Sequence, residues 1–310
     1  MKKRLALLPL LLALGLSGRA QQMPTYNMYA QHQYLINPAF AGYWQGINGH
    51  LYVKSMFNGL PNTPRQLDAA VHGAMPELQA AFGLRMSMDE RAAFQTFQVA
   101  ATAAYKLQVT REQLFSVAID AGFVNRAFDP LAVNEFTNGG DPVLVSNYYN
   151  QTNFRFAVGA AYIAPKWEAG LAMPQLIEGG EQLIPHLTGY LAGNFFTGDL
   201  LLKPSAYVQY LPNGTVLGDV GLMAEYAQTL WLQPGFRTNK TVLLSAGFIF
   251  ASAQVGYSFS LYAGEYDAYQ GDAHEVVISL LMNEGGRSRS FIDRLNPYQK
   301  RGIQRLFRRR

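Results

Sequence analysis

From residue 47 onward, apolar and polar residues alternate one by one in runs separated by turn residues, the period of two that marks a strand with two unlike faces. In 97–109, Phe97, Val99, Ala101, Ala103, Tyr105, Leu107 and Val109 share one face, while Gln98, Thr102, Lys106 and Gln108 take the other. In 253–261, Ala253, Val255, Tyr257, Phe259 and Leu261 alternate with Gln254, Gly256, Ser258 and Ser260. The same rule predicts fourteen strands, near 47–55, 65–75, 78–88, 94–109, 113–126, 152–164, 166–173, 186–196, 200–211, 215–227, 229–238, 241–250, 252–262 and 274–282. Gly189 and Gly193 dilute the apolar face of the eighth. The clearest runs have the length of a tilted membrane strand, about 9–11 residues. The predicted fold class is all-β: a transmembrane outer-membrane β-barrel of fourteen antiparallel strands, with twelve and sixteen as the neighbouring counts.

Charged residues inside the strands test this reading, because lipid offers a charge no partner and Lys or Arg at the bilayer midplane costs about 2–4 kcal/mol. Lys54, Asp68, Arg85, Lys106, Asp120, Arg155, Glu168, Lys203, Asp219, Glu225, Arg237 and Glu275 all have the parity opposite to the apolar face of their own strand. A soluble sandwich would show the same parity; strand length, an export signal and the absence of a helical segment to cover a sheet favour the barrel. The twelve charges divide equally by sign, which argues against a strongly ion-selective pore.

Loop lengths add a second test, since bacterial barrels have both termini in the periplasm, short periplasmic turns and longer outer loops. The long connections, 127–151, 174–185 and 263–273, follow odd strands. Ala164-Pro165, Thr197-Gly198-Asp199 and Ala227-Gln228, after even strands, are tight.

Composition narrows the picture. Hydrophobic residues make up 49% of the chain, aromatics 13% and charged residues 15%, with no run of eighteen apolar residues that would span a membrane as a helix. Cysteine is absent, which removes disulfides, thiol catalysis and Cys-ligated metals. Residues 1–20 read as a cleaved signal peptide, with Lys2, Lys3 and Arg4 before the apolar Leu5–Leu16 and small Gly18 and Ala20 at the end. An uncleaved anchor is the alternative. Four of the 25 basic residues lie in that leader without an acidic partner, so the formal charge of +4 belongs to it and the mature chain is neutral.

That neutrality is uneven. Residues 287–310 hold nine basic residues against Asp293. Within this tail Arg301, Ile303, Arg305, Leu306, Phe307, Arg308, Arg309 and Arg310 place an apolar stripe at helical spacing between arginines. It reads either as a periplasmic docking peptide or as a solubilising tail. Residues 21–46, with six aromatic side chains, are predicted to fill the lumen as a plug or to rest on the barrel rim, ahead of a barrel over 47–286. The outer loops are expected to be acidic.

No nucleophile elbow, zinc-helix motif or phosphate loop is present, and the five histidines show no ligand spacing, so no catalytic, cofactor or metal site is predicted. Nucleic acid is not an expected partner in the periplasm.

Two blocks carry a family resemblance. Gln22, Pro24, Tyr26 and Tyr29, followed by Asn37-Pro38-Ala39-Phe40-Ala41-Gly42, and then Gly59-Leu60-Pro61-Asn62-Thr63-Pro64-Arg65-Gln66, resemble the start of the PorP/SprF outer-membrane proteins of type IX secretion. Lys54-Ser55-Met56-Phe57 stands where that family usually has Arg-x-x-Trp, and the last strand ends at Met282 before the basic tail rather than in a terminal aromatic. The resemblance implies a lipid-embedded barrel that docks the periplasmic lipoprotein ring, a peptidoglycan-binding protein or the C-terminal domains of cargo during secretion and surface display. Its motif residues Tyr26, Tyr29, Asn37, Pro38, Ala39, Phe40, Gly42, Gly59, Pro61, Thr63 and Gln66 become plug or partner candidates. The runner-up is a fatty-acid-transporter-like channel for hydrophobic solutes, a group that also resembles a fourteen-stranded barrel with Asn-Pro-Ala in its plug. A barrel enzyme is the third reading.

Overall fold

The computed structural model describes residues 24–43, 46–56, 63–110, 112–128, 150–178, 186–211, 214–250, 253–264 and 272–282. Residues 1–20, predicted as a signal peptide, Gly59, Pro61 and the tail from residue 287 lie outside the described residues. Strands run β1 (Ile47–Met56), β2 (Arg65–Met75), β3 (Ala80–Arg91), β4 (Phe94–Gln108), β5 (Leu114–Phe128), β6 (Gln151–Ile163), β7 (Trp167–Glu178) and β8 (Leu187–Gly193). They continue as β9 (Phe195–Thr197), β10 (Leu200–Tyr210), β11 (Val216–Tyr226), β12 (Leu230–Arg237), β13 (Thr241–Phe250), β14 (Ala253–Tyr262) and β15 (Ala273–Met282).

Every neighbouring pair is antiparallel, and β1 pairs β15 from Ile47↔Met282 to Met56↔Ala273, so the sheet closes on itself. Closure leaves no edge carrying unpaired N–H and C=O groups in lipid. The fifteen segments make fourteen staves, because β8 and β9 are one stave interrupted at Asn194, both parts pairing with β10. Pro204 of β10 lies opposite that break, between Leu202↔Phe195 and Ser205↔Ala192. With no N–H to donate, proline leaves the ladder incomplete there.

The predicted parity holds. Val255, Tyr257 and Leu261 of β14 are exposed, while Ser258 and Ser260 are buried. Of the twelve strand charges, ten are buried and Arg85 and Glu225 are partly so. One boundary differs by five residues, the others by three or fewer. The strand expected to end at Met173 continues to Glu178 past Pro174, because a bulge absorbs the proline: Phe156↔Ile177 is followed directly by Val158↔Met173. Arg155 Nη2 satisfies the carbonyl of Pro174 at 2.8 Å.

Strand ends joined from even to odd staves gather at one end, with Ile47 and Met282, and those that flank residues 129–150, 179–186 and 263–272 gather at the other. Met282, the last described residue, lies at the short-turn end. The first described residues lie at the other. Gln209, near the long-loop end of β10, donates to the carbonyl of Pro24 at 3.2 Å, and Lys54, near the same end of β1, donates to that of Thr25 at 2.8 Å. Residues 24–43 run the length of the interior before β1 starts at the short-turn end.

Outward side chains form the lipid surface, with Tyr162 stacked on Trp167 (ring centroids 4.7 Å apart) near the short-turn end and Phe123 edge-on to Phe154 (5.9 Å) towards the other. Val220, outward near the middle of β11, is 57% exposed. Val220→Arg is expected to reduce the stability of the barrel folded in vesicles by about 2–4 kcal/mol, and Val216→Arg, at the strand end, by about 1 kcal/mol or less. Denaturant titration in vesicles measures both; equal costs would contradict the membrane placement.

Candidate functional site

The functional candidate is the barrel interior and the segment that crosses it. Ion pairs first remove most of the charge from the wall. Lys54 meets Glu275 at 2.9 Å across the β1–β15 closure, Arg237 forks onto both carboxylate oxygens of Asp219 at 2.7 Å, and Lys203 pairs with Glu168. Asp120 takes both Arg85 and Arg155, the latter at 3.4 Å. These pairs run along the wall between strands one or two places apart. In a low-dielectric interior a buried charge is tolerated only when it is paired and hydrogen-bonded.

The segment is tied to the wall along its length. The Asn27 backbone N–H donates to Glu275 Oε2 at 2.9 Å, which joins the segment to the ion pair at the closure. Tyr26 sits edge-on to Tyr52 at 4.9 Å, and Tyr29 stacks on Tyr207 at 5.3 Å. Gln31 donates to Gln233 at 2.8 Å, and Lys203 Nζ reaches the Ala30 carbonyl at 3.2 Å. The Tyr34 hydroxyl, 2.8 Å from Thr102 Oγ1, begins a relay through Thr102 to Asp120 Oδ1, also 2.8 Å, and so to the two arginines. Residues 26–41 are all buried.

The six-residue motif at 37–42 explains itself here. A short helix α1 (Gln33–Ile36) ends at Asn37, whose extended backbone opens a 3-10 turn over Pro38–Phe40. Its Oδ1 accepts from the Ala39 N–H at 2.9 Å, while Nδ2 donates to the carbonyls of Ala160 (3.0 Å) and Leu171 (3.1 Å) on β6 and β7. Asparagine is the residue that both caps a turn and donates twice. Pro38 fits the first position of the turn, where its missing N–H costs nothing. The Ala39 carbonyl, otherwise orphaned, is bonded by Lys106 Nζ at 3.0 Å and Ser116 Oγ at 2.7 Å. Phe40 is fully buried, edge-on to Tyr190 at 5.6 Å. Gly42 takes φ +62°, and its N–H donates to His72 Nδ1 at 2.9 Å. The wall is cut to receive the turn: a Cβ on Gly159 would fall 2.1 Å from Asn37 Oδ1.

The remaining candidates divide. Gln66 is buried and donates to Asp68 at 2.6 Å on its own strand, without joining the segment, and Thr63 precedes β2 in a loop. The residues that strand parity alone did not single out are the histidines: His32, His50 and His72 meet inside the barrel. Their positions in sequence give no hint of it, because the contact depends on how the segment crosses. Among the described residues no group of His, Asp and Glu is arranged to hold a metal ion.

Asn37→Ala removes two donations to the wall and the cap, each hydrogen bond contributing about 0.5–1.5 kcal/mol. Gly159→Ala attacks the same seat by steric overlap. In a chain with no native cysteine, Ala30→Cys is the reporter. Either substitution is expected to speed its labelling by a water-soluble maleimide at least about tenfold while the barrel stays folded on a heat-modifiability gel; unchanged labelling would mean that the motif does not hold the segment.

The comparisons bear on this arrangement. No curated protein matches significantly. Among solved structures, a TodX deltaS2S3 mutant monoaromatic hydrocarbon channel is 11% identical with a TM-score of 0.51, the match covering 81% of this chain and 94% of that one. The CymD monoaromatic hydrocarbon channel is 12% identical with a TM-score of 0.48, over 84% and 95%. The P. putida toluene transporter TodX is 10% identical with a TM-score of 0.45, over 80% and 93%. The first of these likenesses supports the outer-membrane barrel fold alone. Residues 18–280 match the family described as type IX secretion system membrane protein PorP/SprF. With its motif built into the interior turn and its fourteen staves closed in lipid, the chain belongs to the PorP/SprF family of type IX secretion system membrane proteins.

Proposed function

We propose that this barrel is a closed docking module of type IX secretion, not the conduit for cargo. The single observation that carries the reading is the filled interior. Residues 24–43 act as a plug, tied to both ends of the barrel and to strands on every side, in a lumen most of whose charges are neutralised in pairs. A barrel occupied this way offers partners its surfaces and termini. The basic tail, which follows the last strand at the short-turn end, is the part that reaches into the periplasm. Its arginines and the apolar stripe Ile303, Leu306 and Phe307 suit a groove on a periplasmic lipoprotein ring or a peptidoglycan-binding subunit. Cargo C-terminal domains are the third class of partner.

A hydrophobic-solute channel is the second reading. It is favoured by an apolar groove of about 600 Å³ on the outer wall between β6 and β12, lined by Leu171, Leu191, Val208, Val220 and Phe236, and by the fold it shares with hydrocarbon channels. The groove faces lipid, however, and a channel needs a path through the segment.

Two measurements separate these readings. Affinity purification from detergent-solubilised envelopes is expected to retain the periplasmic ring lipoprotein with the full chain and to lose most of it when residues 287–310 are deleted; identical recovery would remove the tail from the docking role. In planar bilayers the full chain is expected to show no steady conductance, and a chain lacking residues 24–43 a large one. A steady large conductance from the intact chain would overturn the closed module.

A further inference from the structure

His32 from the crossing segment, His50 from β1 and His72 from β2 form a buried cluster towards the short-turn end, each less than a tenth exposed. The rings of His50 and His72 stack with centroids 5.2 Å apart, and His32 stands edge-on to His50 at 5.1 Å. Their hydrogen bonds fix where the protons are. The Gly42 backbone N–H can only donate, so His72 Nδ1, 2.9 Å away, is an acceptor and carries no proton. A neutral imidazole then has its proton on Nε2. That proton points at His50 Nε2, 3.1 Å away, which must therefore accept. His50 Nδ1 consequently carries the proton and donates to Ser279 Oγ on β15 at 3.0 Å. One directed chain thus runs from Gly42 through two histidines to the strand that closes the barrel.

This chain leaves neither acceptor nitrogen spare. A proton on His72 Nδ1 would face the Gly42 N–H, and a proton on His50 Nε2 would face the His72 N–H. Either replaces a hydrogen bond by two donors in opposition. The surroundings offer a positive charge no relief. Facing the pair are His32, whose two ring nitrogens have no hydrogen-bond partner, the Tyr34 ring at 4.5 Å from His72, Lys106 of β4 and Ser279. Among the described residues no carboxylate is hydrogen-bonded or ion-paired to any of the three histidines. The seat at the end of the chain is also exacting: Gly42 holds φ +62°, and a Cβ there would lie 2.7 Å from the Cβ of Ala81.

We propose that His50 and His72 form an acid-sensitive latch, which holds Gly42 and the short-turn end of the crossing segment against the wall only while both imidazoles are neutral. The sign follows from the bonds. Docking is complete above the ordinary histidine range, near pH 6.5, and weakens as acid supplies protons that the chain has no place for. The upper anchors, Asn27 to Glu275 and Lys54 to Thr25, contain no histidine, so release begins at the short-turn end. The latch goes beyond the docking role and does not depend on which partner binds.

The test is hydrogen–deuterium exchange of the full chain in detergent micelles at pH 7.5 and 5.0, with rates corrected for the intrinsic pH dependence of exchange. Peptides covering residues 39–43 are expected to exchange at least about tenfold faster at pH 5.0, while β4 and β5 stay protected. In the double variant His50→Gln/His72→Asn, the new Oδ1 and Oε1 occupy the acceptor positions without titrating, and the acid effect is expected to vanish. Should that variant not fold, His72→Asn alone carries the comparison, since it keeps an acceptor for Gly42. No acid effect in the wild type, the same effect in the variant, or simultaneous opening of the strands would each overturn the latch.

Discussion

The structure depends on one constraint: inside hydrocarbon, no backbone N–H or C=O can be left without a partner. The pairing of β1 with β15 is the contact that meets it, because it turns a fourteen-stave sheet with two open edges into a cylinder with none. Closure then fixes the chemistry of both surfaces. With a side-chain period of two and lipid on one side, each strand must place its apolar residues outward and send what remains inward. The interior is polar as a consequence of the exterior being apolar.

That interior poses a second problem, since six basic and six acidic strand residues are directed into it. Ion pairs along the wall solve part of the problem and the crossing segment solves the rest. It supplies backbone donors to Glu275, carbonyls to Lys54, Lys106 and Lys203, and aromatic surface to Tyr52, Tyr190 and Tyr207. The segment and the wall satisfy each other's hydrogen bonds, so neither is well solvated alone. The Asn-Pro-Ala-Phe-Ala-Gly turn is the most constrained part of this arrangement. Asn37 caps a turn and bridges two strands at once, and glycine on β6 leaves the room it needs.

Much of the fold was legible because its governing rule is local. Alternation over ten residues identified each stave, and the parity of Lys106, Asp120 and Glu275 told inside from outside without knowledge of any neighbour. The misjudged boundary has an equally local cause. Pro174 ends a strand by its own preference, but a bulge paired across from Ala157 carries β7 past it, and that depends on the partner strand. The break at Asn194 was foreshadowed only as a weak apolar face at Gly189 and Gly193.

The sequence by itself determined the class of the molecule: strands with two faces, their number, their inward charges, and an aromatic, motif-bearing segment before them. Only the tertiary structure decided what that segment touches. It also decided that the segment starts at the long-loop end, and that three histidines spread over forty residues share one buried site. The reason is physical. Strand periodicity is imposed by the two solvents on either side of a wall and is written residue by residue. The bonds from Asn37 to β6 and β7, or from Gly42 to β2, form only once closure has brought the wall around the segment.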